Sequence, residues 1–271
     1  MSSIGPRILY CDATCVAVNK IAGEAVEGAG KGMVCLPNAL AVELAKSCYM
    51  PPARNALPLP TAVHRLDVPI SGCALFARSV EALRFLNAAF SQGIVEKRYW
   101  AIVETPKNNF TLDQFLENSA PQNIELVHWI QFDSRQNKST AHDHPKPGRK
   151  KAVLRYSFVG KGRDYLFLET ELVTGRHHQI RAQFARIGLH IKGDLKYSAR
   201  RSEKNGGIRL HARTLSFPDF TSGKRITVHA EVPMHDNLWQ AFQSASGQPD
   251  AYAPIATACD AELAKACLAE C

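Results

Sequence analysis

The sequence contains no apolar run long enough to cross a lipid bilayer. Its uncharged apolar stretches are only a few residues long, whereas a membrane-spanning helix needs about 20. Residues 1–7 also lack the basic region and the apolar stretch of a secretory signal peptide. We therefore expect a cytoplasmic protein that has no membrane partner.

The cysteines lack the spacing of a structural zinc site. There are 8 of them, but no two form a Cys-x-x-Cys pair, which is the arrangement that such sites usually require. Disulfides are uncommon in proteins that are not exported. We expect reduced thiols and no bound metal.

Acidic residues are fewer than basic ones, 25 against 33, which gives a formal net charge of +8 and a pI of about 9.1. Excess positive charge attracts polyanions and favours an RNA or DNA partner. Much of it is clustered. One cluster comprises Lys146, Arg149, Lys150 and Lys151, and another comprises Arg200, Arg201 and Lys204. A solvated loop tip is an equally good interpretation of each cluster taken separately.

Apolar residues recur at strand and helix spacing along most of the chain. Residues 72–78 have the pattern of a buried strand, and the next segment has helical spacing, with Ser79 as its N-cap and Gly93 at its end. Strands and single helices mix without a regular β-α-β repeat. We predict an α+β fold with a mixed, largely antiparallel central sheet and flanking helices. Residues 1–243 form the predicted domain, and residues 244–271 a C-terminal tail with a possible short helix.

A first polar segment, His64 to Gly72, lies between a proline-rich break and the predicted strand 72–78. Pro58 and Pro60 contribute to that break. Arg65 and Asp67 could form a surface ion pair, worth about 0–1 kcal/mol. The position instead favours a loop that presents polar groups at the edge of a sheet, where functional residues are often carried.

A second polar segment runs from Leu172 to Arg181. Gly175 permits a tight turn, after which Arg176 would stand at a helix N-terminus. His177 and His178 are adjacent, and neighbouring residues on a helix point about 100° apart. They would make a poor chelate, so we expect no metal here.

In these two segments and in further motifs, the chain resembles the RluA-type family of RNA pseudouridine synthases. The resemblance extends from Ile8 to about Phe217 and rests on six motifs in the family's order. These are Val18-Asn19-Lys20 with Gly23; His64-Arg65-Leu66-Asp67 with Ser71-Gly72; Lys97 to Ala101; Thr174 to Arg181; Gly193-Asp194 with Lys196-Tyr197; and Leu210-His211-Ala212. No S4-type RNA-binding module is recognisable in residues 1–60, so we expect a stand-alone catalytic domain with the family's fold and an active-site cleft.

The resemblance implies isomerisation of uridine to pseudouridine without a cofactor. Asp67 stands at the family's catalytic position, where the carboxylate either attacks the ribose or removes its C2′ proton, and the sequence leaves both mechanisms open. Arg176 matches the residue that pairs with this carboxylate, since a guanidinium favours its charged form. Tyr99 matches the tyrosine that stacks on the base and is a candidate for removing the C5 proton. Leu210 matches the apolar residue that packs on the uracil, and a core role is the alternative for both.

The resemblance also implies RNA contacts. A uridine in ribosomal or transfer RNA, within a loop or stem-loop, must be flipped out of its stack, which costs a few kcal/mol. Arg65 matches a position that takes part in flipping. Further predicted RNA-binding residues are His64, Lys20, Arg181 and Lys196, although each lysine or arginine could equally be a solvated charge. We expect the protein to act as a monomer.

Two other functions remain to be weighed. A catalytically silent RNA-binding relative would normally have lost at least one of Asp67, Tyr99 and Arg176, and all three are present. A glycoside hydrolase needs two carboxylates flanking one bond. Asp194 is the only other acid in the matched motifs, and we assign it to a turn.

Overall fold

The computed structural model describes residues 3–28, 33–46, 49, 55–106, 123–233 and 236–247. They divide into two compact units. The first contains the described residues up to 96 together with 212–233, and the second contains 97–211 and the segment from 236 to 247. In the described part, no helix is long and apolar enough to cross a membrane.

The described strands and helices are as follows. The strands are β1 (Ile8–Cys11), β2 (Cys15–Lys20), β3 (Ala56–Ala62), β4 (Ser71–Ser79), β5 (Glu96–Glu104), β6 (Ile124–Asp133), β7 (Lys138–His142), β8 (Lys150–Lys161), β9 (Tyr165–Leu172), β10 (Leu210–Pro218) and β11 (Arg225–His229). The helices are α1 (Leu36–Leu44), α2 (Val80–Ser91), α3 (Gln179–Arg186) and α4 (Asn237–Ser246). Short 3-10 turns occupy Gly5–Arg7 and Leu195–Tyr197.

The first unit is a sheet with α2 packed against it. Its strand order is β1-β2-β4-β10, with β3 beside β4 and β11 beside β10. Helix α2 begins as predicted, because the Ser79 hydroxyl accepts a hydrogen bond of 3.2 Å from the Ala82 amide. Its apolar face buries Phe85 and Leu86 against Leu75 of the sheet. Every residue of β4 is buried, so the strand after the His64–Gly72 segment is firmly fixed.

The proline-rich segment is a strand, which the sequence did not predict. Strand β3 contains both Pro58 and Pro60 and pairs with β4. The pairing register shifts between Ala56 and Thr61, where the prolines lie. Proline has no amide hydrogen to donate, so it is tolerated in a strand only where the hydrogen-bond ladder is open or irregular.

The second unit is an antiparallel sheet with one helix on each face. Its strand order is β5-β9-β8-β6-β7. Directly opposed residues share a face, so Tyr99, Thr170 and Tyr156 point the same way. Helix α3 covers that face, with the Phe184 ring 5.5 Å from the Tyr156 ring.

Helix α4 covers the other face of this sheet. The Phe242 ring stacks on the Trp100 ring at a centroid distance of 4.5 Å. The helix is capped by Asp236 and runs to Ser246, so the boundary placed after residue 243 falls inside it. The rest of the proposed tail, residues 248–271, lies outside the described residues.

These pairings confirm the predicted α+β fold with a largely antiparallel arrangement. The apolar spacing of residues 36–48 predicts a helix, and in the structure that helix ends at Leu44. The thiols of Cys11, Cys15, Cys35 and Cys73 are free.

Gly72 allows a close approach of two backbones, and its replacement should be costly. It has φ +115°, and an added Cβ would lie 2.6 Å from the Ala212 nitrogen. We expect Gly72→Ala to lower the free energy of unfolding by roughly 2–5 kcal/mol, the sum of left-handed strain and overpacking. Gly93→Ala is the matched control, because Gly93 has φ +75° with no atom within 4 Å. It should cost only about 1–2 kcal/mol. If urea denaturation gives the same loss of unfolding free energy for both variants, the close approach does not contribute to the cost.

Candidate functional site

Asp67 lies in the connection between β3 and β4. Arg65 is exposed, Leu66 is buried and Asp67 is half-buried, so the segment turns its polar groups outward and its leucine inward. The Ile70 amide donates a 3.0 Å hydrogen bond to the Asp67 carbonyl, which closes a turn over Val68 and Pro69. The segment is therefore a short turn at the edge of a sheet, as the sequence predicted.

The Lys20 side chain holds this turn through hydrogen bonds to backbone carbonyls. Its ammonium group donates to the carbonyls of Ile21, Val68 and Ile70 at 3.1, 3.0 and 2.5 Å. The Gly23 amide donates to the same Val68 carbonyl at 2.9 Å. Two motifs separated by more than forty residues in the sequence thus meet at a single carbonyl.

Lys20 lies in a place that does not fit the predicted contact with an RNA phosphate. Its side chain is fully buried, and backbone carbonyls occupy its donors. Burial is the largest influence on this group and lowers the pKa of Lys20 to about 8, while the nearby charges of Glu24 and Asp67 act in the opposite direction. Lys20 is a structural support that lies close to Asp67.

His64 extends the pairing of β3 with β4. Its Nε2 atom accepts a 3.2 Å hydrogen bond from the Leu75 amide. Its ring stacks on Phe90 of α2, with centroids 5.0 Å apart. One nitrogen and one ring face are thus engaged within the protein, and contact of His64 with RNA stays a prediction.

In the second unit, Arg176 lies in a loop that Thr174 and Gln179 fix to β8. The Val153 amide donates to the Thr174 hydroxyl at 2.9 Å, and Gln179 Nε2 donates to the Val153 carbonyl at 3.0 Å. Gln179 Oε1 also accepts from the Arg176 amide at 2.9 Å. The exposed Arg176 side chain donates from Nε to the Lys151 carbonyl at 3.1 Å, which leaves the rest of its guanidinium accessible. The pairing of Arg176 with Asp67 stays a prediction.

His177 and His178 precede α3 and do not lie on it. The 100° angle between neighbouring residues of a helix therefore does not apply to them, and their ring centroids lie 3.9 Å apart. His177 Nδ1 lies 3.3 Å from the Ser139 hydroxyl, and His178 Nδ1 lies 3.0 Å from the Tyr197 hydroxyl. Each histidine is thus joined to a neighbouring element.

The His178 backbone is in the left-handed region, with φ +52°. Such a conformation in a residue other than glycine costs of order 1–3 kcal/mol and persists only where the surroundings enforce it. Here the Tyr197 hydroxyl does so, since it also receives a hydrogen bond from the Ser139 amide at 2.9 Å. Tyr197 was in a motif that the sequence analysis quoted, but nothing in the sequence pointed to Ser139.

Arg181 likewise lies where it does not fit the predicted contact with RNA. Arg181 and Asp194 are 5% and 1% exposed and form a two-pronged ion pair, with Nε to Oδ2 at 2.7 Å and the second nitrogen to Oδ1 at 2.8 Å. The guanidinium also lies over the Tyr197 ring, 4.9 Å from its centroid. Asp194 is in the predicted turn, but its main role is to neutralise a buried arginine.

The remaining candidate residues differ in exposure. Tyr99 in β5 and Leu210 at the start of β10 are 6% and 1% exposed. Their contact with a base stays a prediction, and packing in the core remains the alternative. Lys196 is exposed, and its ammonium group donates to the Asn137 carbonyl at 3.0 Å. Its charge therefore remains available at the surface.

Comparison with known proteins gives consistent matches. A family model described as RNA pseudouridylate synthase matches residues 14–186. An uncharacterized RNA pseudouridine synthase of Zymomonas mobilis is 32% identical over 86% of this chain and 96% of its own length. A tRNA pseudouridine synthase C of Haemophilus ducreyi is 32% identical over 66% of this chain and 73% of its own. A ribosomal large subunit pseudouridine synthase C of Vibrio cholerae is 28% identical over 84% of this chain and 66% of its own.

A solved structure has the same fold. Human RNA pseudouridylate synthase domain containing 4 aligns with a TM-score of 0.63 over 90% of this chain and 94% of its own, at 18% sequence identity. At that identity the likeness concerns the fold alone. It confirms the fold that the six motifs predicted.

The buried pair of Arg181 and Asp194 gives a stability prediction. Removing one partner leaves an uncompensated buried charge, so Arg181→Met or Asp194→Leu alone should cost about 3–5 kcal/mol of unfolding free energy. The double variant should cost less than the sum, because neither charge is then stranded. Additive losses in chemical denaturation would show that the two groups are not coupled.

Proposed function

Because the chain belongs to the RluA-type family of RNA pseudouridine synthases, we propose that Asp67 is its catalytic carboxylate and acts on a flipped-out uridine. The activity of the family is that of an isomerase whose substrate is RNA. The named relatives act on transfer RNA and on the large ribosomal subunit. We extend those two substrate classes to this chain, with a uridine in a loop or stem-loop as target and a monomer in the cytoplasm as the working form.

The arrangement of the Asp67 turn is the observation that carries the proposal. A catalytic carboxylate must be accessible to the sugar and fixed in position, because a displacement of about 1 Å can cost 100-fold in rate. Asp67 is half-buried in a turn closed by its own carbonyl. A fully buried lysine and the Gly23 amide hold that turn by its backbone.

The reaction assigns a task to each proposed group. The C1′–N1 bond of uridine breaks, the uracil rotates, and a C1′–C5 bond forms. Asp67 either attacks C1′ or removes the C2′ proton. The C5 proton must then leave while N1 regains one, and we assign the acceptance of the C5 proton to Tyr99. No step requires a metal or an organic cofactor.

Arg65 and Arg176 are the proposed cationic groups of the site. The planar guanidinium of Arg65 can stack and donate hydrogen bonds in the space that a flipped nucleotide leaves, and its exposure supports that role. Arg176, whose Nε is anchored on the Lys151 carbonyl, would favour the ionised carboxylate.

The glycoside hydrolase alternative is weakened by Asp194. Such an enzyme needs a second carboxylate that reaches the substrate. Asp194 is 1% exposed and both of its oxygens are bonded to Arg181. It is therefore a poor candidate for a second catalytic acid.

Release of tritium from RNA labelled at C5 of uridine tests this function, because the isomerisation must remove that proton. We expect release from ribosomal or transfer RNA lacking pseudouridine and none with Asp67→Asn, which keeps the shape of the side chain without its charge. RNA affinity should stay within a few-fold. The matched control is Asp164→Asn, in an exposed ion pair with Arg163, and it should retain full activity. Turnover by Asp67→Asn would refute the role of Asp67.

Lys20→Met tests whether this lysine positions Asp67. We expect kcat to fall at least tenfold, because the turn loses two of its backbone anchors. The salt dependence of RNA affinity should not change, since a buried lysine contacts no phosphate. Lys196→Ala, at an exposed lysine, should instead lower the salt slope by less than one unit and leave kcat unchanged. A reduced salt slope with Lys20→Met would restore the role of Lys20 as a phosphate contact.

A further inference from the structure

The basic cluster of residues 142–151 lies on an ordered turn between β7 and β8, which we call the basic turn. The Arg149 amide donates a 3.0 Å hydrogen bond to the Lys146 carbonyl. Pro147 and Gly148, with φ +82° at the glycine, occupy the two central positions, which is the arrangement of a type II turn. The Arg149 side chain also donates to the His144 carbonyl at 3.1 Å. The sequence could not distinguish this ordered turn from a solvated loop tip.

The basic turn runs alongside α3 and ends next to Arg176. At its beginning, Asp143 forms an ion pair with Arg186 in the last turn of that helix. At its end, the Lys151 carbonyl accepts the hydrogen bond from Arg176 Nε. The basic turn therefore extends along the whole of α3, from its C-terminal end to the loop before its N-terminal end. The eight residues of this helix are about 12 Å long.

The charge on the basic turn is not neutralised by neighbouring acids. Asp143 is the only acidic residue in 142–151, and Arg186 already pairs with it. Within the part of the chain that the structure describes, Lys146, Lys150 and Lys151 are exposed and form no ion pair. Partial burial and then the charges of Arg149, Arg186 and Lys146 lower the pKa of His142, as expected where the local potential is positive.

We propose that the basic turn binds the RNA backbone on one side of the target nucleotide, in continuation of the surface on which Arg176 lies. The inference rests on the proposed function and adds to it the place where flanking RNA is held. Phosphate contacts from lysine and arginine position a nucleic acid without reading its sequence. Because the turn is already closed by its own hydrogen bonds, its charges are presented without the entropy cost of ordering a loop.

The salt dependence of RNA binding tests this surface. The double variant Lys146→Ala/Lys150→Ala removes two exposed charges and keeps Arg149, whose hydrogen bonds hold the turn. The probe is a fluorescently labelled, unmodified RNA stem-loop with uridines in its loop. Each lost phosphate contact lowers the slope of log affinity against log salt by about 0.7–0.9. We expect the slope to fall by about 1.5.

The matched control is Lys161→Ala/Lys224→Ala, which removes the same charge from two exposed lysines outside the basic turn. The slope for this control should fall by less than half of the fall expected for Lys146→Ala/Lys150→Ala. Equal slopes for the two double variants would overturn the proposal, because net charge alone would then explain the binding. A charge reversal, Lys146→Glu, should weaken binding further than Lys146→Ala alone if the turn contacts phosphate, and unchanged binding would count against it.

All binding measurements are made in the Asp67→Asn background, so that no turnover occurs during titration. This separates the two proposals. Residual turnover in that background would contradict the catalytic role of Asp67 and leave the comparison of slopes intact. If Asp67→Asn loses turnover as expected and the two double variants have equal slopes, only the role of the basic turn is refuted.

Discussion

A buried ammonium group beneath the Asp67 turn is the constraint on which the first unit's candidate site depends. Removing a charged lysine from water is costly unless hydrogen bonds and opposite charges compensate it. Lys20 obtains three carbonyl acceptors, two of them in the turn itself. A conformation that moved Val68 or Ile70 would strand the charge. The hydrogen bonds that compensate the burial of Lys20 therefore keep the turn in one conformation.

The second unit fixes its own polar loop by a comparable means. Gln179 bridges the Arg176 amide and the Val153 carbonyl, while Tyr197 joins His178 to Ser139. Fully satisfied buried networks are more rigid than single contacts, because each member restricts the others. In both units, side chains that the motifs contain hold the backbone, and Arg65 and Arg176 remain exposed.

Not all of the positive charge is available to a polyanion. Lys20, Arg181 and Arg213 are nearly or fully buried, and Arg209 is held by Glu203 and Asp236. The net charge of +8 therefore raises the expectation of a nucleic-acid partner without locating its binding surface. The basic turn stands out because its lysines are exposed and unpaired within the described residues.

The sequence by itself determined the fold class, the family and the position of the Asp67 turn. The fold class and the turn depend on local signals such as the Ser79 cap, which neighbouring residues suffice to produce. The family depends on the order of the motifs, which can be read directly along the chain. The sequence also suggested that charged motif residues contact RNA, and the burial of Lys20 and Arg181 does not fit this suggestion. Only the tertiary structure decides which charge is buried, because the partners of Lys20 are Val68 and Ile70 and that of Arg181 is Asp194. Strand β3 was missed for the same reason, since the irregular ladder that tolerates its prolines exists only once β4 lies beside it.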